Sequence, residues 1–393
     1  MDASKIKKAQ RAVKYVMKDK RFAKKAKEAS SIDSRRIWLI SERGTDAQDN
    51  GFHLYRYLRE HPEEGIHPIY VIDPDSPDAL KVSALGGEMV VRGSDYHYML
   101  MHKAEALIST HTYGYTPEMN IFYKLAQKDL FKPTGVNVFL SHGVTDKDMS
   151  WLYRENYKPD IFLTSCYNEY DLVRNTYKQP ESVVKKTGMP RYDALFEAPS
   201  PKKQVLIMPT WRVWLNNLSD EEFKKTNYFL FWNDLLMDKT LQKLFQDKEY
   251  KVIFYLHPEL KRRIHLFERE GIEVRDSGIQ DLMIESELLI TDYSSVFSDM
   301  AYMGRKVIFY QFDKDDYATK HYKGLITAYS KFGTVINPSM NYIGGMIGKI
   351  LDEPNVVDQN YIQREYFMNH DNQNTKRVID EIKTAVALKK NMR

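Results

Sequence analysis

Short, continuous apolar runs, each closed by a polar cluster, recur along the whole chain with helical stretches between them. In the first half the runs are Ile37–Ile40, His67–Ile72, Glu88–Val91, Ala106–Ser109, Asn137–Leu140 and Ile161–Thr164, with helical patterns over Phe52–Arg59 and His97–Lys103. In the second half they are Val205–Met208, Lys251–Leu256, Leu288–Thr291 and Lys306–Tyr310, with helical patterns over 221–246 and 375–390. Strands apolar on both faces belong in a parallel sheet covered by helices on each side. The stretch Glu197-Ala198-Pro199-Ser200-Pro201-Lys202-Lys203 interrupts the alternation and reads as a linker. At 393 residues the chain is too long for one typical core and comfortable for two. The expectation is an α/β protein with halves at 31–200 and 201–393, the second ending in a closing helix. Open α/β sheets bind ligands beyond the carboxyl ends of their strands. The polar clusters lie at such ends, so two facing halves place them around one interdomain cleft.

Residues 1–30 are different. Residues 1–29 carry eleven Lys or Arg against three acidic residues, although the whole chain has a net charge of only +4. The basicity is therefore a local arm, not a nucleic-acid-coating surface, and no nucleic-acid partner is expected. Ile6, Ala9, Val13, Val16 and Met17 share one helical face among the lysines. Such a helix lies on an anionic membrane surface or packs on the body of the protein. No apolar run reaches the eighteen residues of a membrane span, and the N-terminus lacks the apolar stretch of a secretory signal. The lone Cys166 cannot form an internal disulfide, which suits a reducing compartment.

Three strand-end clusters can carry chemistry. In Leu140-Ser141-His142-Gly143, a histidine followed by glycine is open to close approach and can act as a general base. In Leu256-His257-Pro258, a second histidine precedes a helix start, with Lys261, Arg262 and Arg263 one turn on; together they suit a phosphate. In Thr291-Asp292-Tyr293-Ser294-Ser295, followed by Asp299, a hydroxyl-rich turn suits the same ligand, and a serine helix cap is the plain alternative. The glycine-rich nucleotide motifs and zinc motifs are absent, and Asp73-Pro74-Asp75 reads as a loop, so no metal and no cofactor are expected.

Together these stretches resemble the CDP-glycerol glycerophosphotransferase family, the teichoic-acid primases and polymerases. The resemblance runs from about residue 36 to about residue 335. It rests on Ser41-Glu42-Arg43-Gly44 with Asp49-Asn50, His142-Gly143 with Lys147, and Gly188-Met189-Pro190-Arg191-Tyr192-Asp193. It continues through Met208-Pro209-Thr210-Trp211-Arg212, Leu256-His257-Pro258, Asp292-Tyr293-Ser294-Ser295 to Asp299, and Gln311-Phe312-Asp313 with Tyr317. It implies a GT-B-like fold of two Rossmann-like domains and transfer of glycerol phosphate from CDP-glycerol, with release of CMP. The acceptor implied is a lipid-linked polyol phosphate of a teichoic-acid-like or capsular polymer, at the cytoplasmic face of the membrane. His142 then corresponds to the base and His257 to a residue at the donor diphosphate. Thr210, Arg212, Asp292, Ser294, Ser295 and Asp299 fall in donor-side segments, with Arg262 nearby, and Lys147 follows the His-Gly pair. Two departures stand out. Ser141 precedes His142 where the family usually has tryptophan, and Arg305-Lys306-Val307 replaces a Lys-Pro pair. The first leaves the acceptor, and CDP-ribitol as donor, open. A nucleotide-sugar glycosyltransferase and a non-catalytic membrane scaffold are the competing readings.

Overall fold

The structure is a computed structural model that describes residues 3–28, 36–321, 327–338, 343–353 and 359–392, with the side chains of 3–6 and 8 outside the description. The Ile6 position of the predicted apolar stripe, and the junction at 29–35 between arm and first half, therefore lie outside the described residues.

The apolar runs form two parallel sheets. The first contains β1 (Arg36–Ser41), β2 (Ile66–Ile72), β3 (Glu88–Val91), β4 (Ala106–Ser109), β5 (Val136–Phe139), β6 (Ile161–Leu163) and β7 (Val184–Lys185). The second contains β8 (Lys202–Met208), β9 (Lys251–Tyr255), β10 (Ile272–Arg275), β11 (Ser286–Thr291), β12 (Lys306–Tyr310) and β13 (Thr334–Ile336). Their orders are β3-β2-β1-β4-β5-β6-β7 and β10-β9-β8-β11-β12-β13. Each starts in its middle, runs to one edge, then returns to run to the other, as in doubly wound nucleotide-binding sheets. Successive side chains feed opposite faces. Leu39, Val71 and Leu107 join one core while Trp38, Ile40, Tyr70 and Ile108 join another. The second sheet divides the same way, with Leu206 and Leu289 against Val205, Ile207 and Ile290. Pro68 is tolerated in β2 because the neighbouring β3 pairs only from Ile69 onward.

Three features differ from the sequence reading. The helical stretch 221–246 is three helices, Asp220–Lys224, Asn227–Met237 and Lys239–Asp247. Thr226 and Asp238 divide it as N-caps, accepting from the backbone N–H of Phe229 (3.2 Å) and Leu241 (2.9 Å). Strands β7, β10 and β13 were not anticipated. They are short, with exposed or half-buried positions, so their apolar signal is weak. The closing helix, Asn374–Asn391, belongs to the first half and not the second. Its Val378, Ile379, Ile382 and Val386 complete the core behind β1, β4 and β5. The chain thus crosses from the second half back to the first.

The N-terminal helix, Ala3–Glu28, docks on the first half through Phe22 and Ala26, with Phe22 stacked on Tyr98 at 5.8 Å. Asp19 pairs with His102 (3.0 Å) and Lys18 with Asp95 (3.2 Å). Val13 and Met17 of the predicted stripe stay exposed, at 58% and 67%. No helix among the described residues is long and apolar enough to cross a membrane.

Candidate active site

The order of the first sheet reverses between β1 and β4, and that of the second between β8 and β11. The loops leaving these strands meet between the halves. A cavity of about 150 Å³ there is lined by Thr110, His111, Ser141 to Lys147 and Trp151 of the first half and by Ser295 of the second.

His142 sits on the loop after β5, with its side chain open to the cleft. The preceding Ser141 has φ of 58°, a left-handed conformation that costs a non-glycine residue energy unless its surroundings hold it. Two contacts do so: the Ser141 hydroxyl donates to the Gly143 carbonyl (2.7 Å), and the Asn50 side-chain amide donates to the Ser141 carbonyl (2.9 Å). Further along the loop, the buried Glu169 carboxylate accepts from the backbone N–H of Thr145 and Ser165, both at 2.7 Å. Gly143 has no room for a side chain without displacement, since a Cβ there would lie 3.1 Å from the Ser295 hydroxyl. The glycine of the His-Gly pair thus lets the two halves approach beside the histidine.

The protein packed around His142, and then Arg191, Arg43 and Lys147, hold its pKa below the usual value of 6.5. It is therefore a neutral imidazole at neutral pH, the form that can accept a proton. His111 stacks on it, with ring centroids 5.0 Å apart and planes 20° from parallel. Burial, then His142 and Arg43, push the His111 pKa well below 6.5.

His257 lies two residues after β9 in the second half; it does not line this cavity, but it is near enough to bear on His142 electrostatically. Burial, then Arg43, lower the pKa of His257. Its Nδ1 accepts from the Glu259 N–H (3.3 Å), and its ring lies 5.9 Å from that of Trp211, nearly parallel. Arg43, on the loop after β1, is exposed and pairs with Asp46 (2.7 Å). Its charge acts on His111, His142 and His257 alike. Its loop is fixed by Glu42, whose carboxylate accepts from the N–H groups of Gln48, Asp49 and Phe52 at the start of helix Asn50–Glu60. The N–H groups at that helix start are therefore met from within the chain, and burial, then Asp49, raise the Glu42 pKa to about 8.

Several residues expected to touch substrate are spent on the protein itself. Arg212 is fully buried, enclosed by the rings of Tyr228, Tyr293 and Tyr317. Its guanidinium donates to Asp292 (2.8 Å), to both oxygens of Asp313 (2.9 Å each) and to the Thr210 carbonyl (2.6 Å). Asp292 also accepts from the N–H groups of Thr210 (2.9 Å) and Tyr293 (2.7 Å). Asp299 is buried and bidentate to Arg191, at 2.6 and 3.0 Å. Arg212, Asp292 and Asp299 hold the loops and do not present a charge to the cleft. Arg262 is exposed, donating to the carbonyls of Asn216 (2.6 Å) and Leu218 (3.1 Å), and does not line the cavity. Lys147 lines the cavity, and its ammonium reaches the Tyr293 carbonyl (3.0 Å) across the cleft. Ser294 and Ser295 are half-buried at the cleft, with Ser295 on the cavity wall. Thr210 lies at the same switch point, after β8.

Sequence reasoning did not name His111, Arg43, Asn50 or Arg191 as site residues. Arg191 donates to Asp49 (2.6 Å) and to the carbonyl of His142 (3.0 Å) besides Asp299, joining both halves to the histidine loop. Arg43, Asn50 and Arg191 were present in the matched motifs. His111 had only the general strand-end signal, two residues after β4. Among the described residues, no three His, Cys, Asp or Glu side chains are grouped as metal ligands would be.

Comparison with known proteins gives a consistent result. Residues 22–384 match the model of CDP-glycerol:poly(glycerophosphate) glycerophosphotransferases. The chain is 30% identical to the minor teichoic acid biosynthesis protein GgaB of Bacillus subtilis over 88% of its length, covering 39% of that protein. It is 24% identical to the teichoic acid glycerol-phosphate transferase of Staphylococcus aureus, covering 75% of this chain and 78% of that one. It spans only 27% of the Staphylococcus epidermidis poly(glycerol phosphate) polymerase. The solved wall teichoic acid polymerase TagF superimposes with a TM-score of 0.66 at 18% identity, over 99% of both chains. A Staphylococcus aureus MnaA–UDP co-structure superimposes with a TM-score of 0.54 at 12% identity, over 90% and 96%. The α/β, GT-B-like arrangement of two facing domains is thus the observed fold.

Proposed function

Because the chain belongs to the CDP-glycerol:poly(glycerophosphate) glycerophosphotransferase family, we propose that it transfers glycerol phosphate from CDP-glycerol to a polyol-phosphate acceptor and releases CMP. The observation that carries this reading is His142. It is a neutral imidazole, open to an interdomain cleft, with a hydroxyl-rich turn of the other half at its side. In the proposed reaction His142 takes the proton of the acceptor hydroxyl as that oxygen attacks the β-phosphorus. Base assistance of this kind is worth roughly 100- to 10,000-fold. The phosphoryl charge then has to be met by donors in the cleft. His257, the Ser294-Ser295 turn and Lys147 are our candidates. Arg212, Asp292 and Asp299 support them from behind, since their own hydrogen bonds are already made.

The acceptor is proposed to be lipid-linked, which places the enzyme at the cytoplasmic face of the membrane. The arm fits this reading because Val13 and Met17 remain exposed among lysines after the other face of the helix has docked. Relatives that include ribitol-phosphate polymerases keep CDP-ribitol in view as donor. The test is nucleotide release by purified protein offered CDP-glycerol, CDP-ribitol or UDP-sugars with a glycerol-phosphate-ended acceptor. CMP from one CDP-polyol is expected, and UDP from a UDP-sugar would assign the chain to sugar transfer instead.

A further inference from the structure

The cavity beside His142 contains a second imidazole that the proposed reaction does not use. His111 follows β4 at the order reversal of the first sheet, and its backbone and its ring are both held. Its carbonyl accepts from the Ser109 hydroxyl (2.5 Å) and the Gly114 N–H (3.0 Å). Its Nδ1 bonds the Thr110 hydroxyl at 2.9 Å. Its face lies against His142 at 5.0 Å. Nε2 makes no hydrogen bond to the described residues, and the side chain lines the cavity.

We infer that His111 is an acceptor-recognition residue, binding through Nε2 a second hydroxyl on the carbon next to the one that His142 activates. The two rings stand side by side and nearly parallel, so their edges offer two hydrogen-bonding nitrogens to one small cavity. The wall also carries the hydroxyls of Thr110, Thr112 and Thr145 and the flat face of Trp151, and its two charged residues, Asp146 and Lys147, pair with each other at 3.4 Å. Whichever tautomer the Thr110 bond selects, Nε2 keeps one hydrogen-bonding role, and a polyol hydroxyl can both donate and accept. The low pKa of His111 keeps it neutral, so it neither repels the imidazolium formed on His142 nor attracts a phosphate into the hydroxyl position. The acceptor class this favours is an end unit with a vicinal diol, its phosphate held outside the cavity.

This inference rests on the proposed function, and the experiment separates the two. Transfer from CDP-glycerol is measured to a soluble glycerol phosphate ester, which ends in a vicinal diol, and to a hydroxypropyl phosphate ester, which lacks the inner hydroxyl. The wild type should favour the diol in kcat/KM by about tenfold or more, the scale of one buried hydrogen bond. His111→Phe keeps a flat ring against His142 but removes the nitrogens. It should lose at least tenfold more kcat/KM with the diol than with the hydroxypropyl ester, mainly through KM. His111→Gln, which keeps a hydrogen-bonding end, should recover part of the preference. An unchanged preference in both variants, with CMP still formed, overturns the inference and leaves the reaction assigned. No CMP from any CDP-polyol with wild-type protein overturns the reaction itself, and this inference with it.

Discussion

The two halves share one strand order, yet the most conspicuous side chains at their strand ends are committed differently. In the first half, backbone carbonyls and N–H groups are held by Asn50, Glu169 and Ser109, which leaves the imidazoles of His111 and His142 facing the cleft. In the second half, the most conspicuous cation, Arg212, is consumed by Asp292, Asp313 and the Thr210 carbonyl. A charged residue at a strand end is therefore not by itself a ligand site. What decides is whether its hydrogen-bonding capacity is already met within the protein.

That contrast can be broken by experiment. The largest effect is expected for Arg212→Ala. Removing it leaves Asp292 and Asp313 buried without a counter-ion, which costs about 3–5 kcal/mol. Thermal or urea unfolding should show a large loss of stability. Normal stability with a raised KM for donor would return Arg212 to the substrate. Next comes Gly143→Ala, whose methyl would crowd the Ser295 hydroxyl. A cost of about 1–3 kcal/mol borne in the closed cleft corresponds to roughly 5- to 160-fold in kcat/KM. Unaltered turnover would show that the halves do not need to meet there. The smallest effect is expected for Arg43→Gln. Arg43 disfavours the protonated form of His142, so its removal raises that pKa. The acid limb of the kcat/KM profile should move to higher pH, and by less at high salt. A limb that stays in place or moves down would separate Arg43 from the histidines.

The paired sheets were legible in the sequence because each central strand is an unbroken apolar run between polar clusters. The location of the cleft followed, since ligand sites of such sheets lie at the carboxyl ends of the strands. The strand-end positions of His142 and His257 were legible for the same reason. The roles of Arg212, Asp292 and Asp299 were not, because a motif shows residue types in order but not who bonds whom. Asp299 meets Arg191 across 108 residues, and Arg212 meets Asp313 across 101. The closing helix was assigned to the wrong half because an amphipathic pattern does not name the surface it covers. His111 went unnoticed in a cluster, Ser109-Thr110-His111-Thr112, that carries no family signal beyond its place after a strand.

The account depends most directly on His142, and one pair of assays on His142→Gln tests it. Turnover of CDP-glycerol should fall by roughly 100- to 10,000-fold while CDP-glycerol affinity, read by calorimetry, stays within a few-fold of wild type. That result would identify His142 as the base on the acceptor side of a bound donor. Equal losses of affinity and turnover, or turnover that survives, would contradict it.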